Sequence, residues 1–318
     1  MKYIKAGWPP IEVSRIILGT WAIGGSNWGG SDEKDAIATI EAAIEAGVTT
    51  IDTAPAYGNG RAEELIGRAL KGRRNKAVIA TKCGLNMEGK KPERDLSPAF
   101  IEKDLNNSLR RLQTDYIDIY QCHWPDENTP IEETMAALLK FKEAGKIKYI
   151  GVCNFNLSQI RGAARCLQLL SIQPHYSLLE RTIEKEEIPF CIPQKISVFA
   201  YGTLEGGLLS GKYTEPTVFE KSDARSFFYK FFKKEYWDDI TPVLDELRAV
   251  SEKTGMKPAQ LAVSWVLAMP GITSVIAGAR NPEQLHDHVK AVDFILRMAE
   301  GMRLHHTSKR VCENLSAK

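Results

Sequence analysis

The chain has 318 residues, which exceeds the usual size of a single domain but fits one α/β barrel with one core. Its 42 Lys and Arg against 40 Asp and Glu give a net charge of +2, and no basic stripe interleaved with aromatic residues suggests a nucleic-acid partner. The first residues, MKYIKAGWPP, lack the apolar core of a signal peptide, and no run of about eighteen apolar residues could span a membrane, so we expect a cytoplasmic protein.

The predicted elements begin with a short hairpin over Tyr3–Val13 and a first strand over Ile16–Leu18. A glycine-rich loop follows, and then a helix over about 31–46 that opens with the capping sequence Ser-Asp-Glu-Lys. The unit of strand, loop and amphipathic helix then repeats. Further strands are predicted near 48–51, 77–81, 116–120, 147–152, 171–173, 197–200 and 273–276. Further helices are predicted near 61–71, 97–112, 131–144, 156–169, 182–193, 258–268 and 281–295.

Eight such strands, apolar on both faces, predict the α/β class and a single-domain (β/α)8 TIM barrel whose floor is capped by the N-terminal hairpin. We expect the barrel to span 1–295 and 296–318 to form a C-terminal tail of uncertain order. In that tail, His305 and His306 lack a spaced third ligand, so we interpret them as solvated and predict no metal site. The six cysteines form no C-x-x-C pair, which favours reduced thiols.

One connection is much longer than the others. The segment from Gly202 to about Trp237 is glycine-rich at first and aromatic-rich later, with the sequence SFFYKFFKKEYW. Long connections in compact domains are usually functional, so we interpret it as a lid or cofactor clamp rather than a mere insertion.

Four polar residues stand at or just after the ends of successive predicted strands: Asp52, Tyr57, Lys82 and His123. In a parallel barrel all strand carboxyl ends open on one face, so side chains distant in sequence converge there. Taken singly, each has an ordinary structural explanation, such as a turn cap or a satisfied buried imidazole. Taken together, they predict a site for proton transfer to a small molecule.

No nucleotide motif of the common kinds is complete. A G-x-G-x-x-G sequence after a strand is absent, and the run from Gly206 to Tyr213 resembles a P-loop but has Tyr213 where a Ser or Thr would hold magnesium. This argues against a nucleoside triphosphatase. Flexible backbone beside the cation of Lys212 remains suited to lying across a pyrophosphate.

A family resemblance rests on several strings together: GTWAIGG, IDTAPAYGNGRAEELIGRAL, TKCG, DYIDIYQCHWPD, GKIKYIGVCNF, YGTLEGGLLSGKY and VIAGARNPEQL. From about residue 3 to 295 the chain resembles an aldo-keto reductase, most closely the bacterial branch of inositol- and sugar-related oxidoreductases and, more distantly, the potassium-channel β subunits. The resemblance implies a (β/α)8 barrel, NADP(H) without a metal, and reversible hydride transfer between a carbonyl and an alcohol. A regulatory subunit that senses the cofactor on the same barrel is the alternative function.

The resemblance makes Tyr57 the general acid and Lys82, Asp52 and His123 its partners. An adjacent ammonium favours an ionised phenol, so we expect Lys82 to lower the pKa of Tyr57. Asp52 is expected to hold Lys82 in place, and His123 to donate to the substrate carbonyl.

The resemblance also implies a set of cofactor contacts. The nicotinamide end would be lined by Gly19, Thr20, Trp21, Cys153, Asn154, Gln173 and Tyr201. The phosphates would be contacted by Gly202, Leu204, Gly206, Lys212 and Arg225. The adenosine end would be contacted by Gly278, Arg280, Gln284 and His288.

Two departures from the family pattern bear on these contacts. Cys153 replaces the usual Ser, and a thiol makes a weaker and longer hydrogen bond than a hydroxyl. Asp287 and His288 stand where Glu and Asn are usual.

Arg280 suits a bidentate grip on a 2′-phosphate, which favours NADP over NAD. The substrate pocket is predicted to include Trp21, Trp28 and Trp124, but stacking aromatics fit sugars and apolar rings equally.

Overall fold

The computed structural model describes residues 1–89, 91–294 and 296–317. Within these ranges the strands are β1 (Tyr3–Ala6), β2 (Ile11–Ser14), β3 (Ile16–Gly19), β4 (Thr50–Asp52), β5 (Val78–Cys83), β6 (Leu85–Asn86), β7 (Glu93–Arg94), β8 (Ile117–Cys122), β9 (Ile147–Cys153), β10 (Ser171–Gln173), β11 (Ser197–Ala200) and β12 (Ile272–Gly278). The helices are α1 (Trp21–Gly24), α2 (Glu33–Glu45), α3 (Arg61–Ala69), α4 (Pro98–Leu112), α5 (Ile131–Glu143), α6 (Leu157–Cys166), α7 (Glu187–Cys191), α8 (Ala224–Phe227), α9 (Lys234–Thr254), α10 (Pro258–Ala268), α11 (Pro282–Asp293) and α12 (Met298–Ser316).

Eight strands close into a parallel barrel in the order β3-β4-β5-β8-β9-β10-β11-β12, and β12 pairs with β3. The antiparallel hairpin of β1 and β2 packs at the amino-terminal end, where the Gly7 amide donates to the hydroxyl of Ser197 at the start of β11. The predicted TIM barrel with its hairpin cap is therefore confirmed.

Two apolar clusters hold the barrel together. Inside it, side chains such as Ile17, Ala80, Ile119 and Phe199 interdigitate and are closed from below by Val13 of the hairpin. A larger cluster lies between the outer faces of the strands and the helices. Because each strand is covered on both sides, its residues can be apolar throughout, which explains the continuous apolar runs in the sequence.

Helix starts coincide with good capping residues. The Asp32 carboxylate accepts from the amides of Lys34 and Asp35 at the start of α2. Asn156 and Gln159 form a capping box at the start of α6. These caps satisfy amides that have no partner inside the helix, and so fix where each loop at the carboxyl ends of the strands gives way to a helix.

The strand register aligns the polar residues at one end of the barrel. Asp52 lies opposite Gly19 of β3 and Ala80 of β5. Lys82, two residues further along β5, lies opposite Gln121 of β8. The carboxyl ends of these strands therefore share one level, as the barrel prediction requires.

The long connection lies over this end of the barrel, and we call residues 202–233 the lid. The lid is tied to the glycine-rich loop after β3, because Asn27 donates to the Ser222 carbonyl and its own carbonyl accepts from the Ala224 amide. Two of its own residues, Phe231 and Phe232, are buried. The segment is ordered by these contacts and ends earlier than predicted, because α9 begins at Lys234.

Several elements of the described chain differ from the predictions. The helix expected over 182–193 is a 3-10 turn over Thr182–Glu184 followed by the short α7. Helix α9 was not expected, because Pro242 in its interior is a typical helix breaker. The small hairpin of β6 and β7 also lacked a signal, since strands of two residues show no periodicity.

The C-terminal segment is a helix. Glu300, Leu304, Ser308 and Val311 form the buried face of α12, which packs along α9. The interpretation of both histidines as solvated is wrong for His305, which is half-buried and whose carbonyl accepts from a guanidinium of the barrel. The predicted boundary at 295 lies outside the described residues. No helix in the described part of the chain is long and apolar enough to cross a membrane.

Arg181 anchors α12 to the barrel. Its guanidinium donates to both carboxylate oxygens of Glu184, at 2.8 and 2.9 Å, and to the His305 carbonyl and the Ser308 hydroxyl of α12. Arg181→Ala should therefore lower the free energy of unfolding by about 1.5–3 kcal/mol, the range for losing hydrogen bonds to a charged group.

Urea unfolding of Arg181→Ala measures this change. Arg303→Ala is the matched control, because Arg303 pairs with Glu246 while half of its side chain is exposed, and such pairs contribute at most about 1 kcal/mol. Equal losses in both variants would show that Arg181 is not an anchor.

Candidate active site

A fully buried ammonium is the centre of the site. Lys82 Nζ donates to Asp52 Oδ1 at 2.9 Å, to Asp52 Oδ2 at 2.8 Å and to the Thr53 carbonyl at 2.9 Å. It also lies 3.2 Å from the hydroxyl of Tyr57. The side chain of Lys82 has no exposed surface, so its charge is balanced by protein groups alone. The structure thus brings three of the four predicted catalytic residues into direct contact.

The expected lowering of the pKa of Tyr57 is wrong for this structure. Burial raises the pKa of the Tyr57 phenol well above its ordinary value, and the charge of Asp52 raises it further. The carboxylate of Asp52 lies against Lys82 and offsets the ammonium, so the phenol meets a nearly neutral ion pair while its ring is covered by Trp21. Tyr57 is therefore held protonated, which is the state that a proton donor requires.

His123 follows β8 and faces the same phenol. The rings of Tyr57 and His123 are 6.0 Å apart between centroids and nearly perpendicular. Burial lowers the pKa of His123 well below its ordinary value, and the charge of Lys82 lowers it further. The imidazole is consequently neutral at physiological pH and presents one N–H donor.

Gln173 and Cys153 extend the polar network to the next strands. Gln173 donates from Nε2 to Asp52 Oδ1 at 2.7 Å, and the thiol of Cys153 lies 3.5 Å from Gln173 Oε1. Burial raises the pKa of the Cys153 thiol far above its ordinary value, so it is protonated. The thiol thus acts as a weak donor in the position where the resemblance led us to expect a hydroxyl.

Asn154 links the network to Tyr201. Its side-chain amide donates to the His123 carbonyl at 3.0 Å and accepts from the Tyr201 hydroxyl at 2.7 Å. The backbone of Asn154 has a φ of 60°, a left-handed conformation that Asn adopts more readily than most residues. These contacts fix the Tyr201 ring at the mouth of the barrel.

Aromatic side chains form the rim of the site. Trp21 stacks on Tyr57 with 6.0 Å between ring centroids, and it meets Trp28 and the lid residue Phe228 edge-on, each at 5.4 Å. Trp124 stacks at 6.5 Å on the imidazole that follows β8. All three predicted pocket tryptophans therefore border the site. Phe228 was predicted only as part of the lid, because nothing in the sequence shows which lid aromatic turns inward.

The main chain at the carboxyl ends of β3 and β12 includes an exposed glycine. Thr20 is buried, and both its amide and its hydroxyl donate to the Asp52 carbonyl, so its side chain ties β3 to β4. Gly278 lies opposite Gly19 and is exposed, with only the Gly19 carbonyl within 4 Å of where a Cβ would stand. A flat ligand could therefore contact bare main chain here.

The predicted phosphate contacts lie in the lid. Gly202, Leu204 and Gly206 form its first turn, and Lys212 is exposed. Arg225 already pairs with both carboxylate oxygens of Asp223, at 2.8 and 2.6 Å. Its reach to a phosphate is thus limited by this pair.

The predicted adenosine contacts surround the start of α11. The side-chain oxygen of Gln284 accepts from the Arg280 amide at 2.9 Å, and the Arg280 guanidinium donates to the Trp28 carbonyl. His288 is buried, and its Nε2 lies 3.1 Å from the Gly278 carbonyl. Asp287 forms an ion pair with Lys257, the residue before α10. All four residues therefore have partners within the protein, but the Nδ1 of the buried His288 has none among the described residues, and Arg280 is exposed.

The site fits a nicotinamide cofactor in two respects. The buried indole N–H of Trp28 has no hydrogen-bond partner, so a polar group of a ligand can satisfy it. The exposed Gly278 leaves room for close approach. Among the described residues, no group of three or more His, Cys, Asp or Glu is arranged to hold a metal ion.

Comparison with known proteins gives the same picture. The model of the Aldo/keto reductase family matches residues 15–305. The chain belongs to the aldo/keto reductase family. Members of this family are oxidoreductases that use nicotinamide cofactors and act on small molecules.

Three relatives illustrate the range within the family. The aldo-keto reductase YhdN of Bacillus subtilis is 44% identical over 90% of this chain and 87% of its own length. The NADH-specific methylglyoxal reductase of Escherichia coli is 37% identical over 94% of this chain and 96% of its own. The structure of the glycerol dehydrogenase from Gluconobacter oxydans superimposes with a TM-score of 0.88 at 40% identity, covering 97% of this chain and 95% of that one.

The environment of Cys153 leads to a prediction about thiol reactivity. Alkylation needs the thiolate, so the buried, protonated Cys153 should react far more slowly with iodoacetamide than the exposed Cys166, which serves as the control in the same chain. Mass spectrometry of the native protein at pH 8 measures both rates. Modification of Cys153 as fast as Cys166 would contradict the buried position.

Proposed function

We propose that the protein is an NADP(H)-dependent oxidoreductase that interconverts an aldehyde, ketone or sugar carbonyl with the corresponding alcohol, using Tyr57 as the general acid. The observation that supports this most is the position of Lys82 Nζ between the Asp52 carboxylate and the Tyr57 hydroxyl. A phenol with a raised pKa keeps its proton until a base appears, and a nearby ammonium stabilises the phenolate once the proton has left.

Each residue then has a distinct part in carbonyl reduction. The bound cofactor supplies the hydride. Tyr57 donates its proton to the carbonyl oxygen as negative charge develops there, and Lys82, 3.2 Å away, stabilises the resulting phenolate. Asp52 keeps Lys82 in place through two hydrogen bonds. Because charge develops only as the reaction proceeds, this arrangement stabilises the transition state more than the bound substrate.

His123 and the rim orient the substrate. A neutral His123 can donate its N–H to the same carbonyl oxygen, which then receives donors from two sides. Trp21, Trp28 and Phe228 close around the reacting group and keep water away, which strengthens these electrostatic contacts.

The complete set of proton-transfer residues favours an enzyme over a cofactor-sensing regulatory subunit. A regulatory subunit needs only to bind the cofactor and does not require a general acid in contact with Lys82 and Asp52. The two functions differ in one measurement, because consumption of NADPH with a panel of aldehydes is expected of the enzyme and binding without turnover of the regulator.

Cofactor preference is assigned to Arg280. Its guanidinium is at the exposed edge beside Gln284, and the contact to the Trp28 carbonyl uses only one of its nitrogens. A fork of several N–H donors suits a 2′-phosphate. The relative from Escherichia coli is NADH-specific, so this choice varies between relatives and needs a direct test.

Replacing Tyr57 tests the acid. Tyr57→Phe should lower kcat by about 10²–10⁴-fold, as is typical when a general acid is lost, while the Kd for NADPH changes little. Tyr116→Phe, at the opposite end of β8, is the control and should keep its activity. Near-normal turnover by Tyr57→Phe on every reactive aldehyde would exclude this residue as the acid.

Replacing Lys82 should change the pH dependence of the reaction. In Lys82→Met the phenol loses its stabilising cation and faces an unpaired Asp52, so the pKa of Tyr57 rises further. Alcohol oxidation, which needs the phenolate as base, should then require a higher pH than in the unmodified enzyme. A pH–rate profile that does not move would contradict the role given to Lys82.

Replacing Arg280 tests the cofactor preference. Loss of a charge-assisted contact costs about 1.5–3 kcal/mol, so Arg280→Ala should weaken NADPH binding roughly ten- to hundred-fold and NADH binding little. Fluorescence titration with both cofactors measures the two losses. Equal losses would show that Arg280 acts on the fold of the loop and not on the 2′-phosphate.

A further inference from the structure

Behind Tyr201 lies a charged pair that the proposed reaction does not use. His175 follows β10, and Glu205 lies in the first turn of the lid, with His175 Nε2 2.9 Å from Glu205 Oε1. We propose that His175 and Glu205 form a positioning pair that holds Tyr201 and the first turn of the lid in the form that binds the cofactor, and that releases both when His175 loses its proton. This inference rests on the proposed cofactor site at Tyr201.

The histidine is tightly coupled to Tyr201. The two residues form an isolated parallel bridge, and the Tyr201 amide donates to the Pro174 carbonyl at 3.0 Å. Their rings stack with centroids 5.2 Å apart and an angle of 16° between the planes. One face of the Tyr201 ring is therefore covered by the imidazole, which determines where that ring stands.

The residue that carries the carboxylate, Glu205, has an unusual backbone conformation. Glu205 is 1% exposed and has a φ of 48°, in the left-handed region that residues other than Gly, Asn and Asp seldom adopt. Its Oε1 accepts from the Ser177 hydroxyl at 2.5 Å as well as facing His175. A buried carboxylate in a strained turn persists only if its partners compensate, and His175 is the one cationic partner that the described contacts give it.

The imidazole also touches the rest of the lid. Gly202 has a φ of 69°, and a Cβ there would lie 2.3 Å from the His175 ring, so the ring packs directly against the main chain of the turn. Tyr229 meets the imidazole edge-on at 6.2 Å, and Phe228 lies 6.4 Å from it. A change in the charge of His175 therefore acts directly on the first turn of the lid and on Phe228 and Tyr229.

The groups around His175 determine the direction of the pH effect. Burial lowers the pKa of His175, but the charge and hydrogen bond of Glu205, with smaller contributions from Glu180 and the backbone of Gly202, leave it above its ordinary value. Because the pKa of His175 is raised, the pair fully stabilises the cofactor-binding form of the lid, which we call the closed form, at low pH. This stabilisation is lost as the pH rises through the folded pKa of His175.

By linkage, binding of the cofactor and protonation of His175 must favour each other. If protonated His175 favours the closed form and the closed form binds the cofactor, then bound cofactor must raise the pKa of His175 in turn. A quarter of the His175 side chain is exposed, although its Nε2 is buried against Glu205.

Two measurements on the intact protein test the pair. The dissociation constant for NADPH should rise about threefold to tenfold as the pH increases from 6 to 9, the size expected when closure changes a pKa by up to one unit. In Glu205→Gln, which keeps the shape but not the charge, this rise should move to lower pH. NMR of the His175 ring, assigned with His175→Gln, should show a titration midpoint that moves to higher pH when NADPH is added.

A second titrating group requires a control. Burial raises the pKa of Asp104, beside the site, to about 7, so it changes charge in the same range. Asp104→Asn should keep the pH dependence of NADPH binding if His175 is responsible. NADH should show the same dependence as NADPH, because the effect does not involve the 2′-phosphate.

The outcomes separate this inference from the proposed function. Failure of the protein to bind either cofactor would refute the proposed function. Binding that does not vary with pH, a dependence abolished by Asp104→Asn, or a His175 midpoint unmoved by cofactor would overturn the positioning pair. The pH dependence of NADPH and NADH binding is measured in the unmodified protein, so the test stands even if a variant fails to fold.

Discussion

The ion pair of Lys82 and Asp52 is the constraint on which the rest of the site depends. An ammonium without exposed surface is very costly unless it is paired and fully hydrogen-bonded. Lys82, on β5, meets this condition with both oxygens of one carboxylate, a carbonyl and a phenol, which all come from β4 and the loop after it. A slip of one residue between β4 and β5 would turn one of these side chains out of the barrel. The closed barrel and its register are thus required for the charge to be tolerated.

The same pairing explains the electrostatics of the surrounding groups. Because Asp52 offsets Lys82, the phenol of Tyr57 keeps its proton. Burial and the charge of Lys82 keep the imidazole of His123 neutral. The lid and the tryptophan rim then limit the access of water. Two exposed cations, Lys212 and Arg280, lie at the outer edge. The interior is therefore built for proton transfer, and its edge for a charged ligand.

Much of this arrangement follows from the sequence. The eight apolar strands and the polar residues after them predict the barrel and the meeting of Asp52, Lys82 and Tyr57, since the periodicity and the strand ends carry that information. Other features depend on contacts between distant residues. Helix α9 was not predicted because Pro242 lies in its interior. The contact of Arg181 with α12 joins residues far apart in the sequence, so no short sequence pattern indicates it. The raised pKa of Tyr57 likewise results from burial and from the neutralisation of Lys82, which a sequence pattern does not reveal.

The charge state of Tyr57 tests the central claim most directly. Tyrosine labelled with ¹³C at Cζ reports ionisation of each phenol by NMR, and Tyr57→Phe identifies the signal that belongs to Tyr57. If the ion pair is neutral overall and burial dominates, Tyr57 in the protein without ligand should remain protonated at pH 10, where an unperturbed phenol is about half ionised. Ionisation of Tyr57 near neutral pH would show instead that Lys82 acts as an uncompensated cation, and would contradict this account of the site.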